Sequence, residues 1–297
     1  MILLYFLLFV RLTINSFNFI IVKYLSPELN PLHINTLRAI FTFLLIFIFF
    51  RKRLVFKKEA IKTSMLLGIL SVGLNQTLFV LGGTMTVSPH MAVIYSSIPI
   101  IIYMFSIFYK LEKALISRII GIFAGFSGIV LIISEKGLNF DNELFKGDLV
   151  ILCGAFAWSF YTIYTKKQKF FKNSTTLTLN TLFMGGLLYS VFGVPFFVFS
   201  YDPIIFKMSN MLIIFYFASI TSILSYIIWN FVINGMDASL ASLVQSGQVI
   251  MTTLLSIVIF DYEPGIRFYI GASVALIAIV LTQIKAVNGK HFVKGKV

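Results

Sequence analysis

The sequence predicts an all-α integral membrane fold of ten transmembrane helices, arranged as two inverted five-helix repeats. Three observations predict it. With 59% of its 297 residues hydrophobic, 12% charged and a mean hydropathy of +0.96, the chain has too little polar surface to cover a water-soluble globule. Ten apolar runs recur along it, each close to the roughly 20 helical residues that cross a hydrocarbon core about 30 Å thick. Short stretches of the first half return in the second, in the same order. The runs are continuous, which excludes a porin-type barrel of alternating segments about ten residues long.

The first run (3–22) lacks the basic start and small-residue cleavage site of a secretory signal, so it is read as a retained helix. It carries Arg11, Asn15 and Asn18 at i, i+4 and i+7, one helical face. Arg11 either faces a wet interior or snorkels to the near membrane surface. Each asparagine either lines a cavity or makes an interhelical hydrogen bond. The second run (33–50) holds Arg38, one turn after Asn35, and Arg38 is expected to cap helix ends or to pair with a loop acid such as Glu28. The third (62–81) offers Asn75 and Gln76, and the fourth (91–109) places Tyr95 and Ser96 before Pro99. That proline removes a backbone donor, frees the Tyr95 carbonyl and marks a hinge or kink. The fifth (115–134) spaces Gly121, Gly125 and Gly128 for close helix packing.

Residues 1–135 thus form the first repeat, 136–147 an extracytoplasmic linker, 148–285 the second repeat and 286–297 a basic cytoplasmic tail. The sixth run (148–166) carries Trp158 and Tyr161 one turn apart, and the seventh (177–199) can bend at Gly185, Gly186 and Pro195. The eighth (211–233) holds Tyr226, Trp229 and Asn230, and the ninth (239–260) contains "QSGQ" at 245–248, with Gln245 and Gln248 as its polar ends. The tenth (268–285) repeats the small-residue stripe as Gly271, Ala275 and Ala278.

Three echoes define the repeat. "SFNFIIVK" (16–23) returns as "SFYTIYTK" (159–166), "GIFAGFSGIVL" (121–131) as "GASVALIAIVL" (271–281), and Ala92 of the fourth run aligns with Ala241 of the ninth. Five crossings per half is an odd number, so the second copy enters from the opposite side and the halves are related by an in-plane pseudo-dyad. Basic residues agree with this. Seventeen of the 24 fall in one set of alternate loops and the tail, against five in the other set, which puts both termini in the cytoplasm.

At this point the chain resembles a known family. "KLEKALISRIIGIFAGFSGIVLI" (110–132), with Glu112 nine residues before Gly121, is similar to the repeat of EamA-type transporters of the drug/metabolite transporter superfamily. So are "YEPGIRFYIGASVALIAIVL" (262–281) and "SYIIWNFVINGMDASLAS" (225–242). The resemblance implies a multi-pass protein of a bacterial inner membrane that exports or exchanges small metabolites by alternating access, as a monomer or homodimer. It also implies a central cavity drawn from the first, third, fourth, sixth, eighth and ninth runs.

All eleven acidic residues fall in loops or at run ends. A cation pump needs a buried carboxylate that a proton or the drug can occupy, so organic cations are disfavoured. Amides, tyrosines and tryptophans suit amino acids or similar small amphipathic metabolites, with Arg11 a candidate contact for an anionic group. A passive channel and efflux of other metabolites or drugs stay open as alternatives. One cysteine, Cys153, allows no intramolecular disulfide and no thiolate metal site. His33, His90 and His291 lie far apart at run ends or in the tail, and no HExxH, GxSxG or Walker pattern occurs. No enzyme activity, cofactor or nucleic-acid partner is expected, and the bilayer accounts for the net charge of +13.

Overall fold

A computed structural model describes residues 2–25, 29–109, 116–133, 142–200, 203–236 and 238–288. Glu28, Glu112, Glu135, Asp141, Asp202, Asp237, His291, the first half of the expected linker and the end of the tail lie outside them. Among the described residues the chain is helical throughout, with no strand. Its helices are α1 (Ile2–Leu25), α2 (Pro31–Phe50), α3 (Lys58–Met85), α4 (Ser88–Phe108), α5 (Ile116–Ile133), α6 (Glu143–Lys167), α7 (Ser174–Phe199), α8 (Met208–Gly235), α9 (Ala238–Gln245 and Gln248–Phe260) and α10 (Ile266–Asn288). Seven of these, α1 to α4 and α6 to α8, are long and apolar enough to cross a membrane. Apolar stretches in α5, α9 and α10 are shorter, at 119–132, 248–260 and 266–278.

Helix starts follow local chemistry. Asn30, Asn142 and Asn173 accept hydrogen bonds from the backbone N–H groups of Leu32, Leu144 and Thr176, satisfying donors that the first turn leaves free. The Asn142 cap starts α6 at Glu143, five residues before the expected run, and draws Asp148 inside the helix. Asp261 closes α9 in the left-handed region at φ 49°, which Asp tolerates better than most residues.

Polarity is inverted relative to a soluble protein. Phe192, Phe123 and Val258 are more than 70% exposed on the outer surface, whereas Arg11, Arg38, Asn35, Asn75, Gln76 and Asn230 are buried. Hydrocarbon outside and polar groups satisfied inside is the arrangement a bilayer imposes.

Small residues set the closest approaches. A Cβ on Gly128 would lie 2.6 Å from the Gly271 carbonyl oxygen, and one on Gly271 2.6 Å from that of Gly128, so α5 and α10 touch backbone to backbone. Gly125 meets Ile100 and Ala278, and Ala275 packs on Gly128, while Gly121 is buried. Gly185 and Gly186 abut Gly68 of α3 and the Ala39 carbonyl of α2. They serve packing, and α7 runs unbroken through Pro195, which is exposed on the outer surface. Pro99 instead opens the second piece of α4, after a break at Ser97.

His90 is not the interfacial residue that its place at a run end suggests. It is fully buried, its Nδ1 2.8 Å from Asp148 Oδ2, and its ring stacks on Phe268. Thr86 donates to the other carboxylate oxygen. Asp148 is therefore a buried carboxylate with partners from α4 and from the residue that caps α3, placed near the start of α6.

Candidate functional site

Interior polar groups converge on one cavity of about 70 Å³. That is room for a few water molecules and well below the roughly 300–1,000 Å³ of drug-sized sites. Four structural features build it. Eight-residue π-helical stretches, Ile69–Gln76 in α3 and Phe217–Leu224 in α8, carry Asn75, Gln76 and Thr221 to its wall. Such wide turns are frequent at functional sites because they turn backbone and side chains out of the regular helical register. Breaks at Ser97 in α4 and at Ser246–Gly247 in α9 face one another, with Ser246 Oγ donating to the Ser96 carbonyl at 3.4 Å, across 150 residues of chain.

α1 supplies Arg11, Asn15 and Asn18 to the lining. Arg11 points inward and does not snorkel. Its Nε donates to the Ser225 carbonyl at 3.3 Å and its Nη1 to Gln245 Oε1 at 2.9 Å. Its guanidinium lies 4.5 Å from the ring centre of Trp229 and 5.3 Å from that of Trp158. A charge at this depth costs about 2.5–3.5 kcal/mol on insertion scales. Desolvated cation–π contacts return about 2 kcal/mol and hydrogen bonds from charged donors about 1.5–3 kcal/mol each. These contacts offset much of that cost, with no acidic partner in the cavity lining among the described residues. Asn15 joins the same knot, donating to Gln245 Oε1 at 3.3 Å and accepting from Ser225 Oγ at 3.4 Å.

Arg38 corrects an expectation. Rather than capping α2 or reaching a loop acid, it is buried in the cavity wall, with Nε on Ser222 Oγ at 2.9 Å and Nη2 on Thr221 Oγ1 at 3.0 Å. Phe217 lies beneath its guanidinium at 5.2 Å. The helix carries it inward because the polar π-helical stretch of α8 sits opposite.

Asn75 donates to Tyr95 OH at 2.8 Å and to the Gly154 carbonyl at 3.0 Å. Gln76 donates to Tyr226 OH at 3.3 Å. Trp158, Tyr226 and Trp229 form an aromatic wall, with ring centres 5.1–5.7 Å from Trp158, and Gln245 and Gln248 complete the lining from α9.

Three expected cavity residues lie elsewhere. Ser96 turns its hydroxyl to the Val93 carbonyl within its own helix. Asn230 donates to Tyr161 OH and Thr178 Oγ1, each at 2.7 Å, so Asn230 and Tyr161 tie α6, α7 and α8 together behind the aromatic wall. Conversely Thr221, Ser225, Ser242, Phe19, Phe79 and Ile98 line the cavity without having been singled out. The spacing of "TSILS" (221–225), with Thr221 and Ser225 one turn apart in an apolar run, is a signal from which two of them could have been found.

The fold and site define an all-helical membrane protein built around an enclosed polar cavity that both halves of the chain line. The chain belongs to the EamA-like transporter family, whose model matches it twice, over residues 2–134 and 145–284. It is 27% identical over 228 residues to the uncharacterized transporter YoaV of Bacillus subtilis, covering 73% of this chain and 74% of that one. An uncharacterized transporter of Archaeoglobus fulgidus is 23% identical over 171 residues, 57% of this chain, and the chain spans only 58% of that relative's length. A solved crystal structure superposes with a TM-score of 0.68 at 14% identity, over 97% of this chain and 98% of that one, a likeness of fold alone.

Proposed function

We propose that the protein exports or exchanges amino acids or similar small amphipathic metabolites by alternating access, with the central cavity as its substrate site. On this reading ten helices cross the membrane as two inverted repeats, 1–135 and 148–285. Both termini are cytoplasmic, and the setting is a bacterial plasma (inner) membrane. The protein acts without a cofactor or enzymatic step, as a monomer or homodimer. One observation carries the reading: the cavity's polar groups bond across the two family repeats, Arg11 and Asn15 to Ser225 and Gln245, and Arg38 to Thr221 and Ser222. A carrier whose halves rock about a midplane site needs that placement. Paired irregularities, one π-helical stretch and one helix break in each half, support the inverted repeat. A cavity of about 70 Å³ suits a closed conformation that must widen to admit cargo.

Counterflow in proteoliposomes tests the proposal, using a panel of amino acids, nucleosides and organic cations. Saturable, trans-stimulated movement of amino acids is expected. Uptake of quaternary cations alone overturns the cargo assignment, and unsaturable flux without trans-stimulation makes the protein a channel.

A further inference from the structure

Within the proposed transport reading, on which this rests, we infer that the cargo is a small dicarboxylate, one carboxylate facing each of the two cavity arginines. Arg11 and Arg38 both line the cavity and are 5% and 2% exposed. No acidic side chain shares that lining. Among the described residues the acids Glu59, Glu143, Asp261 and Glu263 are exposed. The one buried acid, Asp148, is engaged with His90 and Thr86. The cavity therefore holds two positive charges with no counter-ion among the described residues, and burial of unpaired charge is disfavoured unless a ligand supplies the partner.

The donors are also unspent. A guanidinium has five N–H groups, and each arginine gives two hydrogen bonds to the described residues. Nη1 of Arg38 is buried with no acceptor among them, and the buried Oδ1 of Asn18, on the same wall, likewise has no partner. Two planar forks match two carboxylates, and the Asn18 Oδ1 can accept a hydrogen bond from an amino or hydroxyl group of the cargo. A zwitterion with one carboxylate would bring a third positive charge into a site already carrying two. The Trp158 and Trp229 faces that would attract that ammonium are already taken by Arg11.

Trp158 and Trp229 are the chain's only two tryptophans, and both line the cavity. Intrinsic fluorescence of the detergent-purified protein in chloride-free buffer therefore reports occupancy directly. Succinate and L-aspartate are titrated against L-alanine, L-lysine and sodium chloride. Both diacids are expected to give saturable changes at concentrations at least about tenfold lower than the others. Arg38→Gln should weaken diacid binding by about tenfold to a hundredfold, and by more than it weakens alanine binding. Arg38→Lys, which keeps charge but not the fork, should fall between. If a variant does not fold, the ranking on the unmodified protein decides alone. Alanine or chloride binding as tightly as the diacids, or Arg38→Gln leaving diacid affinity unchanged, overturns the dicarboxylate inference while the cavity keeps its role. No saturable response to any solute overturns the inference and the cavity's role together.

Discussion

Adding one methyl group where α5 meets α10 gives a quantitative test of the bundle. A Cβ on Gly128 would sit 2.6 Å from the Gly271 carbonyl oxygen and 2.8 Å from Ala275 N, whereas ordinary contact begins at 3.4 Å. The obstacles are backbone atoms, so no rotamer change relieves them, and the helices must separate by about 0.8 Å. Overpacking of this kind costs about 1–3 kcal/mol. Alanine's helix propensity, up to about 1 kcal/mol over glycine in water, offsets little, because membrane helices persist in the unfolded reference state. Gly128→Ala and Gly271→Ala should each lower the midpoint of denaturant unfolding in mixed micelles by an amount equivalent to about 1–3 kcal/mol. The double variant should cost less than the sum, since the first substitution has already parted the helices. Gly73→Ala is the control, with its nearest neighbour the flexible Ile69 side chain at 3.9 Å. Wild-type stability for both single variants, or strict additivity, would refute the packing argument.

Other expectations can be checked alongside. His90→Leu strands the Asp148 carboxylate and should destabilise the protein by about 3–5 kcal/mol, with Asp148→Asn restoring part of the loss in a thermal unfolding assay. Tyr161→Phe removes an acceptor from Asn230 and should cost about 0.5–1.5 kcal/mol without changing solute affinity measured by tryptophan fluorescence. In a Cys153→Ser background, which removes the exposed native thiol, Asn18→Cys should react with an aqueous maleimide and Ser96→Cys should not. Equal labelling of the two would contradict the different environments described above.

The amino-acid pattern made some of this architecture legible and hid the rest for identifiable reasons. Gly121, Gly125, Gly128, Gly271, Ala275 and Ala278 announce a close helix contact because small residues at helical spacing have few other uses in an apolar run. Asn15, Asn18, Asn75, Gln76, Gln245 and Gln248 stand out because an amide in hydrocarbon must find a partner. Arg38 carries the same signal as Arg11, but its partners Thr221 and Ser222 lie more than 180 residues away, and only tertiary structure turns it inward. His90 and Asp148, 58 residues apart, each look interfacial alone and become buried only as a pair. Asn230 and Tyr161 have the composition of cavity residues, yet Asn230 donates to Tyr161 and Thr178 behind the aromatic wall, a choice of partner that no local spacing encodes.

The wide turns in α3 and α8 set the azimuth at which each rod continues beyond them. One surplus residue in a helical turn is worth about 100° of azimuth. If Ile69–Gln76 or Phe217–Leu224 were rewound into ordinary α-helix, the remainder of that rod would swivel by about that angle. The far ends of α3 and α8 would then present different residues to their neighbours, while their near ends stayed seated.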